Sequence, residues 1–276
     1  MLPLSDALIW GTLALAVLLC LARQQKPGLL LLGVALLAAL WFERLSPIAL
    51  LASLAGLLLA WRTPRLSMPW RGVSLGLVLL WAIALTLHLV PGFDNPRVLD
   101  RVLAGPASVP FSLYLNLDKP LIFFGLLLAW PALLGPGGPI RWRPLALLIL
   151  PLAALLLLAW QLGALKPELG LPHWWWLFAL NNLLFTCVAE EALFRGFIQQ
   201  AIAKRRQIWV GILIASLLFG AAHLAGGPLL MLFAALAGAC YGLAFLWSGR
   251  LSVAILLHFL FNFAHLAFFT YPLASR

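Results

Sequence analysis

Ten long apolar runs, separated by short polar connections, constrain this chain more than anything else in it. They span Ala7–Ala22, Gly28–Phe42, Pro47–Trp61, Gly72–Val90, Leu121–Leu134, Leu145–Leu162, Trp174 to about Ala203, Ile208–Ala225, Leu229–Ser248 and Leu251–Phe269. A membrane-spanning helix needs about 20 apolar residues, or roughly 17 where flanking side chains help. The second, third and fifth runs are short enough to lie partly in the interface. With 64% of its 276 residues hydrophobic and 9% charged, the chain cannot cover the outside of a soluble domain, which carries about 25% charged residues. The expectation is an all-α polytopic membrane protein of about ten transmembrane helices.

Charge placement supports that threading. Successive loops alternate sides, and the cytoplasmic side should be basic. The odd-numbered loops carry Arg23, Lys26, Arg62, Arg65, Arg71, Arg141, Arg143, Lys204, Arg205, Arg206 and Arg250, with no acid among them. The even loops mix both signs. This places the odd loops inside and both termini outside. Most tryptophans stand at the ends of the runs, where amphipathic rings favour the headgroup zone. The net charge of +10 is spread singly or in threes, so it suits an anionic lipid face and not nucleic acid. The first residues lack the basic region of a cleavable signal peptide, so the first run is read as a retained span. Cys20, Cys187 and Cys240 fall inside apolar runs with no paired spacing, which points to neither a disulfide framework nor a thiolate zinc site.

Residues 1–172 read as N-terminal transmembrane helices with an extramembrane loop at 91–120, which ends in a short interfacial piece around Phe111–Asp118. Residues 173–276 read as a separate helical core. His88 stands alone near the end of the fourth run and reads as an interfacial histidine, and Asp118 with Lys119 reads as an interfacial charge pair. His173 belongs to the tryptophan belt. No repeat relates the two halves, so the inverted-repeat signature of many transporters is missing.

Of eight acids, only Glu190 and Glu191 lie well inside a run. An ionised carboxylate at mid-helix costs roughly 2.5–3.5 kcal/mol on insertion scales, so each needs a partner, a wet cavity or a changed protonation state. Arg195, four residues on, is on the same helix face as Glu191 and in the favourable order. That pair reads as a helix-orienting one. Glu190 shares a different stripe, with Thr186 and Asn182, where no local cation neutralises it. Later runs add Phe219 with His223 and His258 with Asn262, each an i, i+4 pair, and His265 one turn further on. Each histidine alone reads as structural. An unpaired carboxylate, two histidines and an amide spread over three membrane helices would be costly unless they met around water, a metal or a proton path.

These residues also carry a family resemblance. Glu190-Glu191-Ala-Leu-Phe-Arg195, Phe219-Gly-Ala-Ala-His223 and His258-Phe-Leu-Phe-Asn262 resemble, in order, the EExxxR, FxxxH and HxxxN motifs of the CAAX prenyl protease and bacteriocin-processing (CPBP, or Abi) family of intramembrane endopeptidases. The resemblance covers about 174–269. It implies a helical core whose motifs line a cavity open to the cytoplasmic side. Glu190 would act as general base on a water, with His223 beside it. His258 and Asn262 would position that water and stabilise the oxyanion, while Glu191, Arg195 and Phe219 give structural support.

The residues leave the metal question open. If one is present, Glu190, His223 and His258 would hold a divalent ion such as zinc. The absence of HExxH and the presence of Asn262 favour a metal-free glutamic mechanism. Two other classes stay in play: a proton-coupled carrier using Glu190, His223 and His258 as a relay, and a silent scaffold of the same fold. The leading expectation is an endopeptidase of a bacterial-type inner membrane, acting on a peptide or protein near the cytoplasmic face. Depth poses one conflict. Glu190 precedes Lys204 by 14 residues, about 21 Å of ideal helix, whereas His258 follows Arg250 by 8, about 12 Å. A bend of the seventh run near Gly196, turning 197–206 onto the interface, is the predicted remedy.

Overall fold

The computed structural model describes residues 3–275. Each of the ten apolar runs forms a helix, as lipid exposure requires of backbone groups that have no water to bond. They are α1 (Leu4–Leu21), α2 (Gln25–Trp41), α3 (Pro47–Arg62), α4 (Trp70–Thr86), α5 (Asp118–Ala129), α6 (Trp142–Gln161), α7 (Trp175–Ala203), α8 (Ile208–Ala222), α9 (Pro228–Ser248) and α10 (Leu251–Phe268). Among the described residues, six are long and apolar enough to cross a membrane: α1, α3 with its following 3-10 turn, α6, α7, α9 and α10. The remaining four, among them α2 and α4 at 17 residues each, are shorter, so ten full spans are not confirmed. Two of the short helices have local causes. Pro131 stops α5 well before Leu134. Gly226, Gly227 and Pro228 follow the end of α8, so its 15 residues reach only about 22 Å.

The chain divides into two compact units. One comprises the chain up to Val98 with Tyr114–Leu133 and Leu184–Ala189; the other comprises Leu99–Leu113, Leu134–Leu183 and the chain from Glu190 onward.

In the first unit α1 packs on α2, and α3, α4 and α5 pack together. Gly28 permits the first approach: a β-carbon there would lie 3.0 Å from the Ala16 carbonyl oxygen and would overlap the Cys20 sulfur. Ser46 caps α3 by accepting from the Ala49 amide at 3.2 Å, with Pro47 in the first helical position. Arg44 closes the α2–α3 loop. Its Nε and Nη2 donate to the two oxygens of buried Asp6 at 2.8 and 3.0 Å, and Nη1 donates to Asp94. Hydrogen bonds to Asp6 and then Asp94 raise its pKa above the usual arginine range.

Asp118 does not serve as a charge pair with Lys119 but takes His88 as its partner, Oδ2 to Nδ1 at 2.5 Å. Its other oxygen accepts from Asn95 Nδ2 at 3.4 Å and the Lys119 amide at 2.9 Å. A sequence separation of 30 hides this pairing. Asp118 is only 2% exposed, so Asp118→Ala strands several donors and is expected to cost about 1.5–3 kcal/mol. Denaturation of the purified protein in detergent measures this, and an unchanged midpoint would refute it.

The 91–120 loop departs from the all-α expectation. Arg97–Val102 and Phe111–Tyr114 form a two-stranded sheet, which lets an extramembrane segment satisfy backbone groups without a helix.

In the second unit α9 packs against α6, α8, α10 and part of α7. Its buried face carries Ala234, Ala237, Gly238, Cys240, Gly242, Ala244 and Ser248 beside the larger Tyr241 and Phe245, and the small residues are what close helix approach in a membrane needs. Gly249, at φ 61°, ends α9 in the left-handed conformation.

Candidate active site

Helix α7 presents the two carboxylates, and it is not a plain α-helix. Asn182–Cys187 and Ala192–Gln199 are π-helical, with the pair Glu190 and Glu191 in the short α segment between them. Such widened turns recur at functional sites. The bend expected at Gly196 does not interrupt the helix, whose hydrogen bonding continues through Ala203. Wider turns take more residues for the same length, so the ideal-helix figure of about 21 Å between Glu190 and Lys204 is too large.

The adjacent glutamates meet opposite surroundings. Glu191 is fully buried, while the Glu190 side chain is 31% exposed. Glu191 Oε1 accepts from Arg195 Nη1 at 2.9 Å and lies 2.8 Å from His258 Nδ1. Arg195 sends Nη2 on to the Gly238 carbonyl at 2.8 Å. Glycine leaves room for this bond, since a β-carbon on residue 238 would stand 2.8 Å from that same Nη2 and displace it. The helix-orienting pair read from sequence is present, but Glu191 has a second partner that i, i+4 spacing could not disclose.

On its other side His258 turns Nε2 toward Glu190 Oε2 at 3.9 Å. This is beyond a direct hydrogen bond and within the reach of one bridging water. Tyr241 stacks on the His258 ring at 4.5 Å and 15°, and Phe219 meets it edge-on at 5.6 Å. Phe219 also lies 4.6 Å from the His223 ring and 4.5 Å from the Arg195 guanidinium carbon. The aromatic member of the second motif is thus the hub that gathers both histidines and the arginine. His223 caps α8, and its Nδ1 bonds the Phe219 carbonyl at 2.8 Å. Among the described residues no hydrogen bond or ion pair joins it to Glu190. Asn262 donates from Nδ2 to Asn182 Oδ1 at 3.3 Å, which ties α10 to the start of α7. His265 bonds the Thr270 carbonyl at 3.1 Å and packs on Tyr271, outside the cluster.

Tyr241 was not singled out in sequence, although it is the one tyrosine set deep within an apolar run. Among the described residues no three His, Cys, Asp or Glu side chains form a metal-holding group.

Residues 172–264 match the family model described as Rce1-like, type II CAAX prenyl endopeptidase Rce1-like. Over this region, about a third of the chain, the protein is similar to the CAAX protease family. The matched stretch holds all three motifs and every member of the cluster above. It is a family of intramembrane proteases, so the carrier and the silent scaffold are not favoured. Nothing matches the chain among curated proteins or among solved structures. The family match and the apolar helices together support an integral multi-pass membrane protein.

Proposed function

We propose that this site hydrolyses a peptide bond of a membrane-proximal peptide or protein with a water activated by Glu190. The observation that supports it is the 3.9 Å gap between Glu190 Oε2 and His258 Nε2, where one water can bond to both. Of the two intramembrane glutamates, the base is the accessible one. The water attacks the scissile carbonyl carbon while its proton passes to the Glu190 carboxylate. Glu190 then returns that proton to the departing amine as the C–N bond breaks. Asn262, its amide plane set by Asn182, donates to the oxyanion. His258 positions the water, and His223, held by the Phe219 carbonyl, assists Glu190. The basic loops put this chemistry near the cytoplasmic face, beside anionic lipid, and the cell membrane of a bacterium is the proposed location.

Purified protein in lipid vesicles, given peptides ending in a cysteine motif in prenylated and unprenylated forms, is expected to release a C-terminal fragment detectable by mass spectrometry. His258→Ala should abolish that product. Failure of the wild type to cleave both peptide classes would count against the proposal. Cleavage should survive exhaustive chelation; activity lost on chelation and restored by one added divalent ion would replace the glutamic version.

A further inference from the structure

His258 is gripped on three sides. Glu191 Oε1 lies 2.8 Å from its Nδ1, Tyr241 stacks beneath the ring and Phe219 abuts it. Arg195 donates to the same Glu191 oxygen. A carboxylate receiving a guanidinium is an acceptor only, so the shared contact requires the imidazole to carry its hydrogen on Nδ1. The other ring nitrogen, Nε2, looks toward Glu190 Oε2 at 3.9 Å.

We propose that Glu191 is a positioning residue acting through His258, and that with Tyr241 as platform it fixes the ring with a hydrogen on Nδ1 and with Nε2 aimed at Glu190. Glu191 thereby does more than tie Arg195 to its helix. The logic is that of any buried carboxylate that orients a histidine for catalysis. This deepens the peptidase reading and rests on it for the catalytic step alone, because the tautomer can be read without any substrate.

The test uses whole protein labelled with nitrogen-15 histidine, with the His258 signals identified by their loss in His258→Ala. The expected wild-type spectrum has His258 protonated at Nδ1. A hydrogen at Nε2 alone overturns the proposal, whether or not any peptide is cleaved. The double variant Glu191→Gln with Arg195→Gln keeps a neutral hydrogen-bonded tie on α7 and removes the carboxylate. It should lower kcat by at least about tenfold with KM little changed, and reduce the Nδ1-protonated fraction. Full kcat in that variant would return Glu191 to a purely structural role. Tyr241→Phe should leave the tautomer intact, and Tyr241→Leu should broaden the His258 signals. If the double variant does not fold, the wild-type spectrum still decides.

Discussion

Replacing Glu190 with glutamine is expected to slow peptide hydrolysis by about a hundredfold to ten-thousandfold while leaving the fold intact. The amide has nearly the shape of the carboxylate but cannot accept the water's proton. Glu190 also carries little structural load: it is part-exposed, and His258 Nε2, 3.9 Å away, is beyond a direct hydrogen bond. The kinetic loss and an unchanged denaturation midpoint should therefore appear together in one preparation. Residual cleavage within about threefold of wild type would remove Glu190 as the base.

Arg195→Met should behave in the opposite way, with the fold suffering first. Arg195 is fully buried and bonds both Glu191 and the Gly238 carbonyl, with the rings of Phe219 and Tyr241 around its guanidinium. Methionine fills much of that volume but leaves the Glu191 carboxylate buried without its cation. Breaking one half of such a pair costs about 3–5 kcal/mol. In a chain of this size that lowers Tm by on the order of ten degrees. The matched replacement of Glu191 and Arg195 by apolar residues should recover most of the loss, since it strands no charge. Thermal denaturation of both variants in detergent measures the difference. A fall in Tm of less than about two degrees in Arg195→Met would show that the pair does not hold the helix.

Helix positions were readable because apolar length and lipid solvation leave little choice. Helix ends were less so, because they depend on where proline and glycine interrupt the ladder, as at Pro131 and Gly227. The three motifs identified Glu190, His223, His258 and Asn262 by residue type and i, i+4 spacing. What spacing could not carry is contact across long sequence separation. Glu191 and His258 are 67 residues apart, Asn182 and Asn262 are 80, and His88 and Asp118 are 30. Each of these depends on tertiary packing that a periodicity along one helix does not encode. The π segments escaped for a related reason: every face assignment on α7 assumed 3.6 residues per turn, and 182–187 and 192–199 do not obey it.

Those same segments act on α7 as two fixed phase offsets. A π-helical stretch takes more residues per turn than an α-helix, so residues 188–191 face a direction rotated from the one that a regular helix with the same tryptophan-rich start would give them. The contact of Glu191 with His258 is therefore set by the irregular turns as much as by the residue types.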